Sequence, residues 1–402
     1  MLNDYGSPDG GAERQMLRLR TQLRERGHAV KLLASDAPLP GVPSDRQSPS
    51  AADLRCRGRN DAWQRFSSLH NASAAAAVRH AVRTFRPHVA HLRMFLWQLS
   101  PAVLGPLADV PTLYHVAQYK AVCPTGSKRL PDGRACAVPA GRVCRREGCV
   151  SALSWPPAML QLAALRKQRS VIDRVVLLSA AMRPVLESGG FDGPFDVVHN
   201  GVPERPARPP LTGPPTAAFA GRLVPDKGVD VLLEAFAAAR HRVPDARLLV
   251  VGDGPARPRL EAEAERLGVA AAVTFAGHLD RPAMEAALDA AWVQATPSQW
   301  AEPFGNVSTE AMMRGTAVLA SDLGGQSEIV DDPATGRRLP PRETDAWAAA
   351  LAALLGNRDH AERVGAAARV RAQTHFSEAA TTDRIVRIYE ELTAGRPGRS
   401  TA

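Results

Sequence analysis

Aromatic residues make up only 5% of the 402 positions. Single-stranded nucleic acids are gripped by stacked aromatics, so this scarcity argues against them as partners. No recognisable nucleic-acid module occurs either, and none is expected as a partner. No apolar run reaches the roughly 18–20 residues that span a bilayer. The longest candidate, residues 346–356, is short and rich in Ala. No basic stretch followed by an apolar one opens the chain, so no secretory signal is read and the cytoplasm is the expected compartment. Cysteine is scarce: there are five, and four of them (Cys123, Cys136, Cys144, Cys149) lie in one region without a Cys-x2-Cys pair. A zinc ribbon therefore lacks its signature. Free thiols suit a reducing compartment, while a metal site at those four positions stays open. Acidic residues are short in the first half, with 27 Lys and Arg against 15 Asp and Glu in residues 1–200, and 23 against 26 beyond. The formal net charge of +9 thus belongs to the first half. It implies either an anionic partner there, such as a membrane surface, or a solvated surface in which Arg far outnumbers Lys.

What is present reads as a folded chain. Hydrophobic residues at 45% and charged residues at 23% are ordinary globular values. At about 150 residues per domain, the length suggests two domains. Short apolar runs alternate with helical stretches, the pattern of α/β folds with parallel sheets. Ala12, Met16, Leu19 and Leu23 share one helical face, and Gly27 is placed to end that helix. Strands are expected at residues 29–34, 88–92, 110–115, 174–178 and 196–199, and a second series at 216–220, 247–251, 272–275, 292–296 and 316–320. The Pro-rich stretch 201–210 between the series reads as a linker. The expected organisation is a first domain at 1–205 with an irregular, Cys-containing insertion at about 116–155, and a second domain at 206–375. A terminal helix and tail at 376–402 would pack back on the first domain. Residues 35–62, polar and rich in Pro, read as a mobile loop.

Three local patterns carry chemistry. In Glu302-Pro303-Phe304-Gly305-Asn306-Val307-Ser308-Thr309-Glu310, a loop turns into a helix with Asn306 as N-cap. The amides of Val307, Ser308 and Thr309 would face outward, and amides plus macrodipole favour phosphate. Two carboxylates beside a phosphate site cannot ligate it. They suit sugar hydroxyls, and Glu310 is placed in the first helical turn. In Gly221-Arg222-Leu223-Val224-Pro225-Asp226-Lys227-Gly228, two cations follow a strand on the edge where open sheets bind ligands. Arg and Lys there suit a diphosphate. Gly10-Gly11 directly precedes a helix and lets backbone amides approach a ligand closely. Each pattern alone is equally consistent with capping, solvated charges or a tight turn.

Taken in order, these stretches form a specific set with Asn200-Gly201-Val202-Pro203, Gly252-Asp253-Gly254-Pro255 and the Ala311-Met312 and Gly315-Thr316-Ala317-Val318 that follow Glu310. The sequence resembles the family 4 retaining glycosyltransferases (glycosyltransferase group 1, GT-B fold) over nearly its whole length, most densely at residues 195–340. The resemblance implies an α/β protein with two Rossmann-like, doubly wound domains facing a cleft. It implies a nucleoside-diphosphate-sugar donor, with UDP and GDP both open, held mainly by the second domain. Arg222 and Lys227 would hold the diphosphate and Glu310 the ribose. Glu302 would contact the donor sugar, and Phe304, Gly305, Asn306 and Val307 would offer amides. Leu279, in Gly277-His278-Leu279, would border the base, while Gly10 and Gly11 would close over the diphosphate. His115 is similar to a catalytic His near the donor sugar or acceptor. The family often follows that His with Asp, where Val116 stands here. The chain has no Asp-x-Asp, which agrees with the metal independence of GT-B enzymes, so no cofactor is expected. The implied acceptor is a polysaccharide, glycolipid or small molecule, and the implied setting is the cytoplasm or the inner membrane face. The alternatives are a non-enzymatic nucleotide- or sugar-binding GT-B protein and a GT-B epimerase.

The start is unusual for this fold. Met1-Leu2 run at once into Asn3-Asp4-Tyr5-Gly6, which reads as a turn. The first domain is therefore expected to lack most of its first strand, with the true start upstream and poor solubility as the consequence.

Overall fold

The computed structural model describes residues 1–43, 45, 47–61, 63–330 and 333–395. The tail at 396–402 lies outside them. The chain divides into two compact units: Met1–Gly201 with the segment that begins at Glu378, and Val202–Ser377.

The first unit holds one sheet of parallel strands: β1 (Leu2–Tyr5), β2 (Leu33–Ser35), β3 (Leu54–Cys56), β4 (Ala90–Leu92), β5 (Thr112–Val116), β6 (Arg174–Leu177) and β7 (Phe195–Val197). Their order is β3-β2-β1-β4-β5-β6-β7. The second unit holds β8 (Thr216–Ala220), β9 (Arg247–Val251), β10 (Val273–Gly277), β11 (Val293–Thr296), β12 (Ala317–Ser321) and β13 (Gly336–Leu339), in the order β10-β9-β8-β11-β12-β13. Both orders reverse direction beside the first strand of the unit, as in doubly wound sheets. Strands covered on both faces must be apolar throughout. Accordingly Val175, Val176 and Leu177 of β6 and Val318, Leu319 and Ala320 of β12 are fully buried.

The core of the second unit gathers Phe219, Phe236, Trp292, Trp347 and Leu351. In the first unit, the helix Gly11–Glu25 and the C-terminal helix Glu378–Ala394 join the sheet through Leu19, Leu23, Leu113, Val176, Ile385 and Ile388. Gly27, at φ +86°, ends the first helix as its position predicts.

The structure corrects three readings. Asn3 and Asp4 are strand, not turn. Their side chains serve the segment after β4: Asn3 Oδ1 accepts the Met94 amide at 3.1 Å, and Asp4 accepts the amides of Trp97, Gln98 and Leu99. Strand β1 is nonetheless short and meets β4 at the single pair Leu2↔Leu92. A cavity of about 530 Å³ opens beside it, lined by Leu2, Val30, Val82, Phe85, Val89 and Tyr389 among others. The strand expected at 29–34 is shorter: β2 begins only at Leu33, although the Leu32 carbonyl still accepts the Leu54 amide at 3.0 Å. Residues 35–62, read as a mobile loop, contain β3, and their described part is tied down by Ser48 to Asp9 and Gly58 to Asp36. Among the described residues no helix is long and apolar enough to cross a membrane.

Candidate functional site

In the second unit the predicted residues follow the carboxyl ends of parallel strands and so share one sheet edge. Arg222 and Lys227 follow β8, Leu279 follows β10, and Glu302 to Glu310 follow β11. Lys227 Nζ lies 2.7 Å from Glu302 Oε1, and Ser298 Oγ donates to the same oxygen. Gly228 makes this approach possible. At φ +65°, a Cβ there would stand 2.0 Å from the Pro297 carbonyl oxygen. Arg222 is exposed and has no ion-pair partner among the described residues.

The helix Asn306–Arg314 begins one residue earlier than expected in its capping. Gly305, at φ +145°, is the N-cap, and Asn306 is already helical. The amides of Ser308 and Thr309 turn back to the Gly305 carbonyl at 3.0 and 3.4 Å. Of the three amides expected to be open, only that of Val307 has no partner among the described residues. Glu310 sits in the second turn rather than the first. A buried polar set anchors this helix: Gln294 of β11 donates to the Val307 carbonyl at 3.0 Å, and Arg314 donates to Gln294 at 2.9 Å. Ser308 donates to Gln326 at 2.8 Å. Phe304 is buried, edge-on to Phe376 with ring centroids 5.8 Å apart. Leu279 and Val307 pack against one small apolar cluster with Ala218, Ala220 and Val251.

Sequence reasoning missed Arg281. Its guanidinium lies 3.7 Å from Glu310 Oε1 and 2.7 Å from Glu285 Oε1. The Asp280 cap, which accepts the Ala283 amide at 2.9 Å, was the available signal, since it places Arg281 at a helix start directly after Leu279.

In the first unit, Gly10 caps the helix that starts at Gly11. Glu13 in that helix is 3% exposed, and burial raises its carboxyl to about 6. His115 is in β5, 1% exposed. Its neighbours, Arg93 and Asn200, were not predicted as site residues. Arg93 Nη1 contacts His115 Nδ1 at 3.2 Å, and Nη2 donates to Asn200 Oδ1 at 2.9 Å. His91 stacks obliquely on His115 at 5.4 Å between centroids and meets the Tyr389 hydroxyl at 2.5 Å. Burial holds both imidazoles well below their ordinary value, hence neutral, with the N-terminal amino group and then Arg93 adding to it at His91, and Arg93 at His115. The four cysteines Cys123, Cys136, Cys144 and Cys149 are free thiols. Among the described residues no three His, Cys, Asp or Glu side chains form a group able to hold a metal ion.

Comparison with known proteins agrees with this architecture. The profile of "Glycosyltransferase Family 4" matches residues 9–205 and that of "Glycosyl transferases group 1" residues 203–371. A D-inositol 3-phosphate glycosyltransferase of Nocardia farcinica is 41% identical over 187 residues, 44% of this chain and 40% of that protein. The match thus spans well under two thirds of that relative. A glycogen synthase of Mycobacterium tuberculosis is 28% identical over 313 residues, 76% of this chain and 69% of that one. The structure of sucrose-phosphate synthase from Thermosynechococcus elongatus superposes with a TM-score of 0.72 at 22% identity, over 98% of each chain. Anabaena Alr3699/HepE in complex with UDP and glucose superposes at 0.64 and 19% identity, over 97% of this chain and 98% of that one. With two family profiles covering both units in sequence and two Rossmann-like sheets in order, the chain belongs to glycosyltransferase family 4, the glycosyl transferases group 1, with the GT-B fold.

Proposed function

We propose that the protein is a retaining glycosyltransferase that moves a sugar from a nucleoside diphosphate to a hydroxyl of a polysaccharide, glycolipid or small-molecule acceptor. The observation that carries this reading is the Lys227–Glu302 pair beside the unpaired Arg222 on one sheet edge. A diphosphate arriving there replaces a carboxylate as the partner of Lys227. Arg222 supplies a second, fork-shaped donor set. The two cations then stabilise the negative charge that develops on the departing diphosphate, and such preorganised charge stabilisation is usually what lowers a barrier most. Glu302, released from Lys227, is left to accept hydrogen bonds from sugar hydroxyls. Glu310 accepts from the ribose, with Arg281 holding its carboxylate. The Val307 amide adds one donor at a helix N-terminus. No metal is needed for this charge balance, so chelation is expected to leave activity unchanged. The named relatives act on an inositol phosphate and on glycogen, and both names describe hydroxyl-rich molecules.

The test is transfer and donor hydrolysis by the full chain against Lys227→Ala and Glu310→Ala, with UDP and GDP compared by thermal shift. A nucleotide that binds the native state raises its melting temperature. Lys227→Ala is expected to lower kcat by about 10²–10³-fold, the usual cost of one transition-state donor. Equal turnover in wild type and both variants would remove the assignment. Binding without turnover would favour a non-catalytic nucleotide-binding role.

A further inference from the structure

The contact between Arg93 and His115 follows from strand register. β4 and β5 pair Ala90↔Thr112, His91↔Leu113 and Leu92↔Tyr114. The next positions along the two strands are Arg93 and His115. Equivalent positions on neighbouring strands project to the same face, and the two side chains meet, Nη1 to Nδ1, at 3.2 Å. A guanidinium has donors only and keeps its proton. The imidazole nitrogen facing it must therefore accept, and the ring proton must sit on Nε2. An imidazolium would set N–H against N–H and bring two buried cations together. Arg93 is 2% exposed and, among the described residues, no carboxylate pairs with it. Its other contact is the neutral Asn200. Nε2 of His115 is buried without a protein partner. A small pocket of about 20 Å³, lined by His115, Arg93, Asn200, Gln15 and Arg18, has room for about one water-sized group.

We propose that Arg93 is a positioning residue that locks His115 in the Nε2–H tautomer, so that His115 meets the substrate as a hydrogen-bond donor to an oxygen and not as a proton acceptor. This rests on the reading of His115 as a substrate-contacting residue. A buried, partnerless N–H costs free energy until an acceptor reaches it. A sugar hydroxyl or a phosphate oxygen satisfies it; a proton to be abstracted does not. The groups facing the ring are consistent with the lock. His91 from β4 is itself neutral and engaged by Tyr389 of the C-terminal helix. From the helix Gly11–Glu25, Glu13 acts on Arg93, and Arg18 is paired with Glu378 at 3.4 Å. None of them offers Nδ1 an alternative acceptor.

Nitrogen NMR of the 15N-histidine-labelled full chain reads the tautomer directly, without substrate. Wild type is expected to show His115 with Nε2 protonated and Nδ1 bare, unchanged from pH 8 to pH 5.5. Arg93→Met removes the donor at similar length and should give mixed tautomers and a titrating ring. Arg93→Lys keeps a donor and should restore the single tautomer. In turnover, Arg93→Met should gain a dependence on pH between 5.5 and 7.5 that wild type and Arg93→Lys lack. Adding nucleoside diphosphate alone, and then the intact nucleotide sugar, distinguishes a phosphate oxygen from a sugar hydroxyl as the group that moves the Nε2 signal. A wild-type His115 found with Nδ1 protonated, or doubly protonated at pH 7, overturns the proposal. So does an Arg93→Met spectrum identical to wild type. If the tautomer is as stated but His115→Ala turns over normally, the substrate role of His115 fails while the lock stands.

Discussion

Single side chains in the first unit are held in states that water would not give them. His91 and His115 are neutral because burial disfavours the charged ring, with nearby positive charge adding to it: the N-terminal amino group and Arg93 for His91, Arg93 for His115. In the unfolded chain each binds a proton near its ordinary pKa of about 6.5. The unfolded state therefore binds more protons below that pH, and stability falls as the solution is acidified. Glu13 works in the opposite direction, because its raised pKa of about 6 lets the folded state keep a proton that the unfolded state has released. Removing one histidine should isolate the first effect. Denaturant titrations of His115→Gln against wild type should show a shallower acid loss below pH 6.5. One proton fewer changes the slope by about 1.4 kcal/mol per pH unit. Parallel slopes would mean that His115 is not buried neutral. None of this was visible along the chain, since Arg93 and His115 are made neighbours by strand pairing alone.

The helix Asn306–Arg314 shows what an element adds to its motif. The spacing from Glu302 to Glu310 was legible because both residues sit within one loop and one helix. The cap was misassigned because Asn is a good N-cap residue, yet the backbone at position 305 takes φ +145°, which glycine alone adopts freely. A Cβ on Gly305 would also stand 2.7 Å from the Gln326 side chain, which holds Ser308. Gly305→Ala should therefore cost about 1–3 kcal/mol in backbone strain and tilt the helix start. Chemical denaturation measures the first, and nucleotide affinity should fall with it. Unchanged values in both would show that the turn tolerates a side chain. Strand β1 was misread for a related reason. Asn, Asp and Gly favour turns on local grounds, but here Asn3 and Asp4 spend their side chains on the amides after β4. Tertiary hydrogen bonds outweighed local preference. β3 was hidden in the same way, its three residues being held by pairing with β2.

Across the whole molecule, the C-terminal helix Glu378–Ala394 belongs to the first unit although it follows the second in sequence. It buries Ile385, Ile388 and Leu392 against Leu19, Leu23, Leu113 and Val176, and its Tyr389 partners His91. A chain ending at Ser377 should expose that apolar face and leave His91 without its hydroxyl. Losing three large buried side chains costs several kcal/mol at about 1.5–3 kcal/mol each, a large share of a domain's stability. Loss of cooperative melting in the first unit is the expected readout, and a normal melt would count against the helix as part of that core. The sequence by itself determined the fold class, five of the six second-unit strands and the order of the glycine, cation and carboxylate motifs, because these depend on residues close together in the chain; the edge strand β13 was not among them. Periodicity and loop chemistry act over one or two turns. Only the tertiary structure decided the pairing of Lys227 with Glu302, the place of Arg281 beside Glu310 and the contact of Arg93 with His115. Each of these joins residues from separate loops or strands, and only the pairing of parallel strands brings those together.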